Sequence, residues 1–230
     1  MQISVIIPTL NEEQNIGPQI AHFRSLARQD LLREIIVVDG GSQDETRTMA
    51  EKAGARVLLV PTKGRAAQMN YGAQQAMAPI LYFVHADVRP PTSCLHDIVQ
   101  TLDARAGLGC FAYHFDSDAP LLRINAWFTG FDWMANGGGD QTLFLPKSCF
   151  EELGGFDEQL PIMEDFDFVW RAKQQRYPMQ LVKNRAKVSA RKYENNSYLK
   201  VQIVNAITFM AFRWGYSPHK LAKWYRKMLM

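Results

Sequence analysis

The chain has 230 residues, of which 47% are hydrophobic and 21% charged, enough apolar material for one large domain with a sizeable core. A net charge of +3 gives no ground for a nucleic-acid partner. Three widely spaced cysteines (Cys94, Cys110, Cys149), with no CxxC, exclude a disulfide framework or a cysteine zinc site and fit a reducing cytoplasm.

The opening Met-Gln-Ile-Ser-Val-Ile-Ile-Pro has no basic region, and its apolar run is too short for a signal peptide. No apolar run is long enough to predict a membrane span. Residues 3–7 predict a first strand ended by Pro8, with Asn11 capping a helix over residues 12–28. Residues 34–38 predict a second buried strand that runs into Asp39-Gly40-Gly41-Ser42, and Asp44 begins the next helix. Residues 56–60 form a third strand, Lys63-Gly64-Arg65 opens a helix towards Met77, and residues 80–84 form a fourth strand running into His85-Ala86-Asp87. Strand and helix alternating in steps of about 25 residues predict an α/β fold with a mainly parallel sheet flanked by helices. Parallel topology brings the strand ends to one edge, where open α/β sheets bind ligands.

The second half is less regular. It predicts a helix over 92–104, a strand over 108–115, and a helix over 121–134 that carries Trp127, Phe128, Phe131 and Trp133. A glycine-rich loop at 136–141 precedes a short strand at 142–145 and a short helix at 146–153, stopped by Gly154-Gly155. A helix over 164–176 has an acidic first turn, 179–190 holds one or two strands, and helices over 198–214 and 218–228 form a helical C-terminal tail. No repeat, low-complexity segment or linker divides the chain, so a single domain over 1–230 is expected.

Asp39, before two glycines, can accept hydrogen bonds from a ribose or nucleobase, or bond local backbone N–H groups in a tight turn. The third glycine of a dinucleotide fingerprint is missing, as is a GxxxxGK[ST] loop, which disfavours a Rossmann dehydrogenase and a P-loop NTPase. Lys63-Gly64-Arg65 sits at a predicted helix N-terminus, which favours an anion, and the Arg65 fork suits phosphate; a solvated basic turn is the plainer reading. Asp87 suits Mg²⁺ or Mn²⁺, which take one or two carboxylates plus phosphate oxygens and water, while His85 is either a further ligand or a hydrogen-bonded structural residue. In Glu164-Asp165-Phe166-Asp167, one carboxylate can enter the cleft as a general base while another caps or pairs within the helix. Gly137 to Gln141 can cradle an acceptor sugar or simply turn the chain.

In order and spacing, Pro8-Thr9-Leu10-Asn11-Glu12, Val37-Val38-Asp39-Gly40-Gly41-Ser42-Gln43-Asp44, Lys63-Gly64-Arg65, His85-Ala86-Asp87, Gly139-Asp140-Gln141 and Glu164-Asp165 resemble the inverting glycosyltransferases of family 2, which have the GT-A nucleotide-diphospho-sugar transferase fold. The His-Ala-Asp variant, with Gly-Arg-Ala-Ala-Gln-Met-Asn at 64–70, looks like a bacterial subgroup associated with radical-SAM and selenium-domain proteins. The resemblance implies a nucleotide-diphosphate sugar donor and a hydroxyl acceptor, with a nucleotide-binding half at 1–115, an acceptor-side half at 116–195 and C-terminal helices at 196–230. Pro8, Glu12 and Asp39 would line the base and ribose, Arg65 would contact base or diphosphate, and Asp87, with His85 at the place of the commoner Asp, would hold Mn²⁺ or Mg²⁺. Asp165 would be the catalytic base, with Glu164 as second candidate, and Gly139, Asp140 and Gln141 would meet the acceptor or donor sugar. A nucleotidyltransferase acting on sugar phosphates and a non-catalytic sugar-nucleotide-binding protein are the alternatives. The basic, aromatic tail over 199–230 can lie on a membrane surface at the cytoplasmic face, pack on the domain, or form a homodimer contact.

Overall fold

The computed structural model describes residues 1–60, 62, 64–129 and 141–229. Its strands are β1 (Ile3–Thr9), β2 (Leu32–Asp39), β3 (Arg56–Leu59), β4 (Ile80–Phe83), β5 (Val88–Arg89), β6 (Leu108–Phe115), β7 (Leu143–Pro146) and β8 (Met179–Val188). Its helices are α1 (Glu13–Arg24), α2 (Thr46–Lys52), α3 (Arg65–Gln75), α4 (Cys94–Ala104), α5 (Pro120–Phe128), α6 (Lys147–Glu152), α7 (Glu164–Gln174), α8 (Arg191–Glu194), α9 (Tyr198–Arg213) and α10 (Pro218–Leu229).

The strands form one sheet in the order β3-β2-β1-β4-β7-β6-β8-β5. The β2–β3, β1–β2, β1–β4 and β6–β8 pairs are parallel, and β4–β7, β6–β7 and β5–β8 are antiparallel. The sheet is therefore mainly parallel, as the alternating pattern predicted. Every residue of β1 is buried, because helices cover both sheet faces. Val5 and Ile7 pack on one face with Ile16, Ile20 and Phe23 of α1. Ile6 points the other way, into a cluster with Ala66 and Met69 of α3, Phe83 of β4 and Phe168 of α7. Gly72 lets α3 lie close to the sheet: a Cβ there would come within 2.6 Å of Ile6 and 2.9 Å of Val38.

Several local expectations need correction. β1 continues through Pro8 to Thr9. Its pairing with β4 ends at Ile6, so Pro8 lies where that neighbour asks for no N–H. Asn11 does not cap α1. It takes a left-handed conformation (φ 56°) and its Oδ1 accepts from Gln43 N at 2.9 Å. The N–H groups that open α1 are served from the loop after β2 and the first residue of α2 instead: Asn11 N donates to Ser42 Oγ (2.8 Å), Glu12 N to Thr46 Oγ1 (2.7 Å) and Glu13 N to Asp44 Oδ2 (3.2 Å). The helix expected over 12–28 stops at Arg24. Residues 179–190 hold one strand, β8, whose register with β6 shifts between Phe111 and Ala112. The expected helix over 121–134 is described only as α5; Phe131 and Trp133 lie outside the described residues.

Candidate active site

The adjacent ends of β2, β1 and β4 carry the loops singled out from the sequence. At β2, Asp39 is buried and its carboxylate is occupied locally. Its Oδ1 accepts from Gly41 N (3.1 Å) and Ser42 N (3.0 Å), and its Oδ2 accepts the Ser42 hydroxyl. Arg47 Nε stands 3.9 Å away. These local hydrogen bonds are those of a carboxylate that holds its own turn. The end of β1 is fastened to the end of β2 by Gln68 of α3, whose buried Nε2 donates to both Thr9 O and Val38 O at 2.7 Å. Pro8 is buried, and Glu12 accepts from Asn15 Nδ2 (2.6 Å) and approaches Arg191 of α8 (4.0 Å).

After β4, His85 to Val88 form a turn, with Val88 N donating to His85 O at 3.2 Å, and β5 follows at once. His85 and Asp87 are half-buried on this turn. Among the described residues no group of three or more His, Cys, Asp or Glu side chains is arranged to hold a metal ion. An imidazole and a carboxylate two residues apart are a sparse donor set. They fit a divalent ion that takes its remaining ligands from phosphate oxygens and water.

α3 and α7 lie on the same face of the sheet, and their N-termini meet beside this turn. α3 begins at Arg65 after Gly64, whose φ of 131° is one that side-chain-bearing residues rarely adopt. α7 begins at Glu164 after Met163 in a left-handed conformation (φ 68°), with no side-chain cap. Arg65 Nε donates to Glu164 Oε1. Glu164 is 1% exposed and its Oε2 has no hydrogen-bond partner among the described residues. Two helix N-termini and a guanidinium make a positive environment that offsets the cost of burying this carboxylate and can receive an anion.

A small open pocket is lined by Arg65, His85, Glu164 and Asp165, together with Thr142 and the apolar Met69, Phe83, Leu143 and Phe156. Four of the sequence-predicted residues thus share one pocket, whereas Pro8, Glu12, Asp39, Asp87 and Gln141 lie outside its lining. Gln141 is buried beside Thr142. Lys63, Gly139 and Asp140 lie outside the described residues. The floor is stiffened by packed rings, Phe83 and Phe156 edge-to-face with centroids 5.2 Å apart and Phe156 and Phe168 tilted with centroids 4.9 Å apart.

The acidic run divides its work. Glu164 pairs with Arg65, and Asp165 faces the pocket with Oδ1 accepting from Phe166 N at 2.8 Å. Asp167 holds Arg171 (2.7 Å), which donates to Leu153 O (2.5 Å) and Gly155 O (2.7 Å). Asn70 braces the same loop, exchanging two 2.9 Å hydrogen bonds with the Phe156 backbone. Sequence reasoning assigned no role to Gln68, Asn70, Thr142 or Arg171. Gln68 and Asn70 fall within the run 64–70 that was noted as a pattern, and their polarity on a helix face that packs against the sheet was the available signal.

A mainly parallel sheet whose strand ends face paired carboxylates and a basic helix start is the architecture of GT-A glycosyltransferases. The chain matches the family model described as Glycosyl transferase family 2 over residues 4–151, and it belongs to that family. Its fold superposes on the mannosyltransferase PcManGT from Pyrobaculum calidifontis, solved with GDP-Man and Mn²⁺, with TM-score 0.71 at 18% identity, over 94% of this chain and 66% of that one. It superposes on S. aureus TarS 1-349, solved with UDP-GlcNAc, with TM-score 0.67 at 17% identity, over 100% of this chain and 70% of that one. In sequence it is 31% identical over 106 residues to an uncharacterised glycosyltransferase of Mycobacterium tuberculosis, 46% of either chain. It is 44% identical over 60 residues to the glucosyl-3-phosphoglycerate synthase of Petrotoga mobilis, 25% of this chain and 18% of that one. The matches therefore span less than half of these relatives.

Proposed function

We propose that the protein transfers a sugar, with inversion, from a nucleotide-diphosphate sugar to a hydroxyl acceptor. The observation that carries this reading is the meeting of Arg65 and Glu164-Asp165, from two helix N-termini far apart in sequence, beside His85 in one pocket. The diphosphate would lie against the start of α3, where N–H groups and the Arg65 fork stabilise the charge that develops as it leaves. The Asp39 turn, Pro8 and Glu12 would shape the base and ribose end on the 1–115 side. Asp165, rather than Glu164, would take the acceptor proton, because Arg65 occupies one Glu164 oxygen and the Glu164 side chain is almost wholly buried. One carboxylate base opposite the leaving group gives in-line displacement and no covalent intermediate. Asp87, with His85 beside it, would hold Mn²⁺ or Mg²⁺ against the diphosphate, and such an ion when bound neutralises charge on the leaving group. The His-Ala-Asp turn with the 64–70 run supports placement in the radical-SAM and selenium-domain-associated subgroup. Gly139, Asp140 and Gln141 would meet a sugar from the 116–195 side.

A panel of nucleotide sugars with Mn²⁺ or Mg²⁺ and mixed hydroxyl acceptors tests the reading. Release of nucleoside diphosphate is the expected result. Release of pyrophosphate from a nucleoside triphosphate and a sugar phosphate would identify a nucleotidyltransferase, and saturable binding without turnover would identify a binding protein.

A further inference from the structure

α1 carries a polar side chain on its buried face. Ile16, Ile20 and Phe23 are the buried apolar residues of this helix, and Gln19, 2% exposed, stands among them. An amide taken out of water costs free energy unless it is hydrogen-bonded. Gln19 is bonded: its Nε2 donates to Val88 O at 2.5 Å. His22, one turn further on and half-buried, donates from Nε2 to Pro90 O at 2.8 Å. A carbonyl can only accept, so this nitrogen carries the proton. Residues three apart on a helix share a face. This face of α1 therefore serves two carbonyls of the segment that leaves the His85–Asp87 turn.

That segment begins with β5, which is two residues long, lies at the edge of the sheet and, among the described residues, pairs with β8 alone. An edge strand presents unpaired carbonyls, and Gln19 and His22 stand in for a further strand. The incoming side of the turn is fixed differently, by Val84 N donating to Ile6 O of β1 at 3.0 Å. His85, Ala86 and Asp87 thus hang between two anchors, β1 before them and α1 after them. α1 is itself tied to the Asp39 side of the site, through Glu12 N to Thr46 Oγ1 and Glu13 N to Asp44 Oδ2. One helix therefore joins the loop after β2 to the turn after β4. An imidazole and a carboxylate are few donors for a divalent ion, so their placement against ion and diphosphate matters the more.

We propose that Gln19, backed by His22, is a positioning residue for the divalent ion: by holding Val88 O and Pro90 O it fixes the place of the Asp87 carboxylate and the His85 imidazole. This role presupposes that Asp87 ligates that ion. Calorimetric titration of the full chain with GDP, UDP, dTDP, CDP and ADP, each in Mn²⁺ and in EDTA, tests it without any assay of activity. For the nucleotide that binds, the ratio of the two affinities reports the ion alone. The parent should bind more tightly in Mn²⁺. Gln19→Met keeps the length of the side chain and removes the donor. It should lower the ratio by about 10-fold, or to one, with the affinity in EDTA unchanged; that is the low end of the loss when a group that orients a metal ligand is removed. His22→Leu, at a half-buried position, should lower the ratio too, and His22→Gln, which keeps an N–H donor, should retain it. Ser4→Ala removes buried hydrogen bonds at the opposite end of β1, to Glu34 Oε1 (2.8 Å) and from Ala78 N (3.1 Å), and should leave the ratio at the parent value. An unchanged ratio in Gln19→Met, or in His22→Leu if Gln19→Met does not fold, would overturn the proposal, and so would an equal fall in Ser4→Ala. A parent whose ratio is one would overturn the ion at Asp87 as well, and a parent that binds none of these nucleotides would overturn the nucleotide reading beneath both.

Discussion

Gln68 links the fold to the site, and its removal has a size that can be worked out. The side chain leaves α3 and donates from one nitrogen to Thr9 O and Val38 O, both at 2.7 Å, with 6% of the residue exposed. Gln68→Leu keeps a comparable volume against Gly40, whose hypothetical Cβ would lie 3.1 Å from the amide, so the cavity term stays small. What is lost is two hydrogen bonds at about 1 kcal/mol each, or about 2 kcal/mol in all. Thr9 O keeps its bond from Gly40 N at 2.9 Å, so it is not stranded. For a chain of this length each kcal/mol lowers the melting temperature by about 2–4 °C, which predicts a drop of about 4–8 °C. The freed strand ends carry Thr9 and the Asp39 turn, so KM for the nucleotide sugar should rise more than kcat falls. Calorimetry and initial rates on parent and variant check both. A melting temperature within about 1 °C of the parent would refute the reasoning, because a drop that small corresponds to less than one hydrogen bond.

Gly109→Ala should destabilise by about 1–3 kcal/mol, since a Cβ there would lie 2.1 Å from the Phe144 ring in the middle of the sheet and overpacking is strained; urea unfolding checks this, and an unchanged midpoint would contradict the packing. Burial holds His22 below the usual histidine value, opposed by its hydrogen bond to Pro90 O and assisted by Arg89. The folded state then binds fewer protons than the unfolded one, so the stability His22 contributes is present above the unfolded value and lost as pH falls through it towards the folded one. Between about pH 8 and about pH 5, the parent should lose more unfolding free energy than His22→Gln, and equal losses would contradict the assignment.

The centre of the sheet was legible because β1, β2 and β4 carry continuous apolar runs, and a run buried on both faces needs no partner to announce itself. β6 lies where residues 108–115 predicted it. β5 and α8 escaped because two and four residues are too few to show a period. Asn11 misled for a tertiary reason. It has the chemistry of a cap, but Ser42 and Asp44 of the neighbouring loop and Thr46 at the start of α2 already serve the start of α1, and the Asn11 side chain serves Gln43. The strand-end loops were recognisable as a candidate site from position and residue type. That Glu164 is engaged by a basic partner was not, because that partner is Arg65, 99 residues earlier in the chain. Asp39 shows the converse: a carboxylate before two glycines can be expected to hold its own turn from local sequence alone, and its hydrogen bonds to Gly41 N and Ser42 N do so.

The central claim is that Asp165 activates an acceptor for transfer from a nucleotide sugar bound beside Arg65. The most direct measurement is nucleoside diphosphate release by Asp165→Asn, alongside its affinity for the donor nucleotide. Asn keeps the shape of the side chain and removes its capacity as a base. Turnover should fall by about 10²–10⁴, the usual contribution of a positioned general base, with nucleotide affinity retained. Full transfer activity in Asp165→Asn would contradict the account.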